Sequence, residues 1–116
     1  MHKLISEYIK LTLEYGNSME NGNDLKSNKT HSKIQKLITH ISNSETKTKS
    51  EFYGLLSHSN SSVRIWTAIE LIGTDEENSL KIIKEISNEK GINGLNAKTI
   101  LEMWEKGLIK KTNWMK

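Results

Sequence analysis

The stretch Asn60-Ser61-Ser62-Val63-Arg64-Ile65-Trp66-Thr67-Ala68-Ile69-Glu70-Leu71-Ile72-Gly73 decides the fold. Val63, Ile65, Trp66, Ala68, Ile69, Leu71 and Ile72 are spaced for a helix that is apolar on more than one face. Such a helix is stable only when other elements cover it, so it is expected to be the central one. Asn60 or Ser61 is suited to cap its start, because a short polar side chain accepts from the free amides of a first turn. Gly73 is expected to end it.

Working outward, the same 3.6-residue period recurs on both sides. A first helix is expected from Lys3 to Met19, with Leu4, Tyr8, Leu11, Thr12, Tyr15 and Met19 on one face and Asn21-Gly22-Asn23 as its stop. A second starts near Asp24, which is suited to cap it, and runs to about Ile41, with Ile34, Leu37, Ile38 and Ile41 inward. Ser42 to Ser50 reads as a polar linker or the start of a short third helix carrying Phe52, Leu55 and Leu56. Beyond Gly73, Thr74-Asp75-Glu76-Glu77 has the form of a capping box with Thr74 as the cap. The fifth helix places Leu80, Ile82, Ile83 and Ile86 inward. Gly91-Ile92-Asn93-Gly94 reads as a turn before a sixth helix with Ala97, Ile100, Leu101 and Trp104. Gly107 is suited to a left-handed stop with Leu108 as its apolar contact. The result is one all-α domain over residues 1–109, about six helices packed as antiparallel pairs, and a basic tail over 110–116 that contains Trp114.

The composition is compatible with this. At 116 residues the chain is one ordinary domain. It has no cysteine, which removes disulfides and thiolate metal sites, and no proline to interrupt a helix. A hydrophobic content of 34% is low, but a net charge of +3 is too small for the composition of a disordered chain. The N-terminal helix is interrupted by Glu7, Lys10 and Glu14, so no leader is expected. A cytoplasmic location is the expectation.

Ala68-x-x-Leu71-Ile72 recurs as Ala97-x-x-Ile100-Leu101, 29 positions on. Each follows a shorter apolar helix that ends in Leu55-Leu56 or Ile82-Ile83. Helix pairs repeating at such a period indicate an α-solenoid. Leu55-Leu56-Ser57-His58-Ser59-Asn60-Ser61-Ser62-Val63-Arg64, continuing to Ala68 and Leu71, resembles a HEAT-type repeat, with His58 where an aspartate is usual. That replacement removes the acidic half of the Asp–Arg ladder that ties such repeats together. From Tyr8 to Leu108 the chain also resembles a family of small bacterial proteins catalogued as a domain of unknown function. Asn28-Lys29-x-His31, Val63-Arg64-Ile65-Trp66 and Glu102-Met103-Trp104-Glu105-Lys106-Gly107 carry that likeness. The resemblance implies a HEAT-like, right-handed array of helices and implies no activity.

The sequence holds no zinc-binding His-Glu-x-x-His, no phosphate-binding glycine loop and no Gly-x-Ser-x-Gly elbow. His2, His31, His40 and His58 have no ligand-like spacing. Ser44-x-x-Lys47 matches a short acyl-enzyme pattern without its companion motifs. No catalytic residue, metal or cofactor is expected. Asn28 and His31 fall near the inward part of the second helix, where a pocket and simple hydrogen-bond satisfaction are the two readings. Arg64, the one arginine beside 16 lysines, reads as a structural tie. Trp66, Ala68, Ala97 and Trp104 read as core. Glu70, the only carboxylate in the most apolar helix, is the one candidate for the perturbed carboxylate of an unrecognised catalytic site, and an exposed edge is the favoured alternative.

Lys26, Lys29, Lys33, Lys36 and His40 are spaced 3, 4, 3 and 4, which puts them on one narrow line beside the apolar face of the second helix. Residues 1–50 hold eight lysines and five acids, whereas 51–116 hold nine basic and nine acidic residues, so the excess charge belongs to the first half. The line is either a solvated face or a docking strip for an acidic partner or a phosphate backbone. Helical arrays present continuous surfaces to partners, and small bacterial examples include immunity- or antitoxin-like proteins. The function expected is therefore non-enzymatic protein binding, with nucleic-acid binding through the lysine line as the alternative. An enzyme with an unrecognised site ranks last.

Overall fold

The computed structural model describes residues 2–109. The expected tail with Trp114 lies outside them. Six α-helices and one 3₁₀ turn make up the described residues, with no strand among them: α1 Lys3–Glu20, α2 Asp24–Ser42, α3 Thr46–Gly54, the turn Leu55–Ser57, α4 Ser61–Leu71, α5 Glu76–Ser87 and α6 Ile92–Glu105. None of these helices is long and apolar enough to cross a membrane.

Side chains that satisfy otherwise free backbone groups set the helix ends. The cap of α2 is Asn23 and not the expected Asp24: its Oδ1 accepts from the Lys26 amide at 3.2 Å, and Asn60 Oδ1 accepts from those of Ser62 at 2.8 Å and Val63 at 3.4 Å. Two glycines close helices through left-handed backbone. Gly22 (φ 69°) and Gly107 (φ 72°) follow the last turns of α1 and α6. After each, the next amide returns to a carbonyl five residues back, Asn23 to Ser18 and Leu108 to Met103.

Three further local expectations are corrected. The cap of α5 is Asp75, which accepts from the Asn78 amide, and not Thr74. A carboxylate one position further on makes the stronger acceptor for a helix start. Gly94 lies inside the first turn of α6, where its backbone packs against the Glu89 carbonyl. On α1 the buried set is Ile5, Tyr8, Leu11, Thr12 and Ser18. Leu4, Tyr15 and Met19 lie at its margin, about one residue around the helix from the expected face.

The core is a single cluster drawn from every helix. Ile34, Leu37, Ile38 and Ile41 of α2 meet α1, while Val63, Ile65, Ala68 and Leu71 make α4 the central element. Helix α1 packs on α2 and α4 and also touches α6, and α5 lies between α4 and α6 in contact with both. Tyr8 joins the halves: its ring stands edge-on to Phe52 (centroids 4.9 Å apart) and its hydroxyl meets Thr67 Oγ1 at 3.1 Å. The radius of gyration is 13.5 Å, matching the roughly 13.4 Å that the usual scaling gives for this length.

Candidate binding groove

Between α1, α2, α4 and α6 the surface is recessed. On α1, Gly16 allows a close approach to α4, since a Cβ there would overlap the Ser62 hydroxyl. That approach brings Tyr15 against Trp66, ring edge to ring face, with centroids 5.2 Å apart and planes at 87°. His31 of α2 adds a third ring, 5.2 Å from Trp66 and 6.1 Å from Tyr15. The opposite wall is the first half of α6. There the Asn93 amide donates to Ser62 Oγ at 3.3 Å, and Asn96, Thr99 and Ile100 follow.

The cavity so enclosed has a volume of about 280 Å³. It opens past Gln35, Ile69, Glu70 and Ile100 into a wider one of about 500 Å³, whose walls include Ile38, Met103 and Leu108. Together they form one groove. Its lining combines aromatic and aliphatic carbon with side-chain amides and hydroxyls. Among the described residues, the lining of both cavities contains one carboxylate, Glu70, and no lysine or arginine.

Glu70 is thus corrected from an exposed edge to the junction of the two cavities. Burial raises its pKa above the usual carboxylate range, because the charged form loses hydration. Among the described residues no side chain hydrogen bonds to its carboxyl or pairs with it. The Tyr15 hydroxyl is pushed up as well, also by burial.

The structure places Trp66 in the groove wall, half-buried, where the core was expected. Trp104 is partly buried against the core, and Ala68 and Ala97 are fully buried. Arg64 bridges two turns: its Nη2 donates to Ser61 Oγ at 3.0 Å and lies 3.5 Å from Glu89 Oε2. Asn28 is exposed, not inward. His31 is likewise exposed, but its ring lies on the groove rim. Ser44, two residues beyond α2, donates its Oγ hydrogen to the His40 carbonyl at 2.8 Å, a bond that engages no lysine. Among the described residues no group of histidines and carboxylates is arranged to hold a metal.

Lys26, Lys29, Lys33, Lys36 and His40 are all exposed along α2, and none of them lines either cavity. The groove-lining residues of the same helix are His31, Gln35, Ile38, Thr39 and Ser42. At about 100° per residue the two sets point roughly 150° apart. The lysine line and the groove are therefore separate surfaces on opposite flanks of α2.

Sequence periodicity assigned Trp66 to a helix face but gave no information on which rings would meet it. The available signal was the pair Trp66 and Glu70, four residues apart and so adjacent on one face of α4.

No family model matches this sequence, and no curated protein matches it. Among solved structures the chain is similar to the crystal structure of the protein RPA1889 from Rhodopseudomonas palustris CGA009, at a TM-score of 0.81 and 14% identity, over 94% of this chain and 91% of that one. At that identity the likeness establishes a shared helical fold and nothing about activity.

Proposed function

We propose that this chain is a non-catalytic, HEAT-like helical module that holds a segment of a protein partner in the groove between α2, α4 and α6. The observation that carries the reading is the groove lining. Tyr15 and Trp66 are residue types that dominate binding energy at protein interfaces when seated in recessed, poorly hydrated sites. Side-chain amides from Gln35, Asn93 and Asn96 match the donors and acceptors of a peptide backbone, and Ile100, Met103 and Leu108 offer carbon to its side chains.

The HEAT-like reading draws on the Leu55-Leu56, Val63-Arg64, Ala68 pattern. It is also supported by Arg64 reaching forward to Glu89 in the turn after α5. In that position Glu89 supplies a carboxylate that His58 does not. An immunity-like or adaptor role fits a module of this kind.

The test is capture of partners from the source cells by the intact chain, in parallel with Trp66→Asp and with Lys26, Lys29, Lys33 and Lys36 all changed to Glu. Groove docking expects a partner retained by the wild type and by the lysine variant and lost by Trp66→Asp. Retention by Trp66→Asp refutes it.

A second reading is favoured by the exposure of all five side chains of the lysine line. Binding of duplex DNA through four lysines predicts a slope of log affinity against log salt near roughly −3.6. Equal binding by the wild type and the four-Glu variant removes that reading.

A further inference from the structure

We propose that the groove's specific anchor is a guanidinium group: an arginine side chain of the partner segment, seated over Trp66 with its charge on Glu70. This deepens the protein-docking reading and rests on it for the source of the arginine.

The argument begins with charge. The chain is basic overall, yet among the described residues no lysine or arginine lines either cavity, and the one carboxylate there is Glu70. That carboxyl has no hydrogen-bond or ion-pair partner among the described residues. A half-buried carboxylate without a partner is costly to desolvate, and a cationic ligand is the group that repays the cost.

Shape and chemistry then select among cations. Trp66 stands one helical turn before Glu70 on α4, with Tyr15 and His31 around it. A cation held against a carboxylate beside such rings gains from their π faces. A guanidinium is planar, weakly hydrated and able to stack, and it has five donors, whereas an ammonium is compact and strongly hydrated. Glu70 is not the only residue there able to accept: Gln35 and Asn96, whose side-chain amides each carry an acceptor oxygen, belong to the same lining. A volume of about 280 Å³ is below the usual range for drug-sized ligands and suits a single long side chain.

The experiment is a titration of the full chain with N-acetyl-arginine-N′-methylamide, followed by the indole and side-chain amide resonances of the protein. The blocked citrulline and blocked lysine analogues are run alongside. Citrulline keeps the shape of arginine and removes its charge. The proteins are wild type, Glu70→Gln and the four-Glu variant of the lysine line. The expected result is saturable shifts at the Trp66 indole and the Asn96 amide with blocked arginine. Citrulline, and the Glu70→Gln variant, should each bind about tenfold more weakly, the loss of one charge-assisted hydrogen bond. The lysine variant should titrate like wild type.

Equal responses to arginine and citrulline overturn the proposal, as does an unchanged titration in Glu70→Gln or a response confined to residues outside the groove. Glu70→Gln keeps the side-chain shape, and its fold is checked by its own spectrum before titration. The two readings fail differently. A partner lost by Trp66→Asp but indifferent to Glu70→Gln refutes the arginine anchor and leaves groove docking standing. Arginine binding at Glu70, with a partner that Trp66→Asp still retains, refutes groove docking alone.

Discussion

The buried hydroxyl pair in the core supports a prediction with a reversal of sign. Thr67 Oγ1 donates its single proton to the Val63 carbonyl at 2.8 Å. The contact between Tyr8 Oη and Thr67 Oγ1 at 3.1 Å must then have Tyr8 as donor. Both residues are fully buried, so the two halves of the bond are unequal. Tyr8→Phe removes the donor and leaves Thr67 still bonded to Val63, at a cost of about 1 kcal/mol. Thr67→Val removes the acceptor and strands a buried phenol with no alternative, at about 2 kcal/mol. Replacing both leaves apolar groups of matching shape, which costs little. Tyr8→Phe is therefore destabilising in the wild type and stabilising in the Thr67→Val background. For a domain of this length 1 kcal/mol corresponds to about 4 °C of melting temperature. Thermal and urea unfolding of the four proteins, read by far-ultraviolet circular dichroism, measure the cycle. If Tyr8→Phe lowers stability in both backgrounds, the assignment of donor and acceptor is wrong.

Two glycine substitutions should move in opposite directions. A Cβ at Gly94 would overlap the Glu89 backbone carbonyl, so Gly94→Ala is expected to cost about 2–3 kcal/mol in urea unfolding, the upper part of the range for overpacking. At Gly54 the space is open and the backbone is already right-handed helical (φ −61°, ψ −19°), so Gly54→Ala should gain about 0.4–1 kcal/mol. Glu70→Gln should stabilise the fold at neutral pH. The folded-state pKa of Glu70 is raised by burial, so its contribution to stability is fully present below the unfolded value of about 4.3 and is lost as pH rises through the folded one. Unfolding of wild type and variant compared at pH 7 and near pH 3.5 should differ at the first pH and converge at the second. A constant difference at both refutes the desolvation argument.

Features that depend on neighbours in sequence were legible from the chain alone. The inward set of α2, the Asn60 cap and the left-handed stops at Gly22 and Gly107 follow from helix periodicity and from which side chains satisfy end groups. The sequence is ambiguous where two neighbouring residues compete for one role. Leu4 and Ile5 are both apolar, and the core takes Ile5 while Leu4 lies at its edge. Thr74 and Asp75 are both good caps, and the turn after Leu71 brought Asp75 into position. Gly94 reads as a turn residue because glycine is costly inside helices, but the nearness of the Glu89 carbonyl requires a residue without a side chain there. The groove was least legible. Tyr15, His31 and Trp66 come from three helices, and only the close approach at Gly16 brings the first of them to the others. Periodicity could place Trp66 and Glu70 on a face of α4, but it could not show that this face borders a recess.

Helix α2 separates two surfaces that share a backbone and no side chain. Substitutions on its lysine flank can invert the local charge without touching a groove residue, and substitutions at His31 or Gln35 leave the lysines in place. In a genetic experiment the two flanks therefore give separable alleles, one class blind to salt-sensitive ligands and the other blind to the groove's ligand. A phenotype shared by both classes would mean that the cell requires the two surfaces to be occupied together, with α2 as the wall between neighbouring guests.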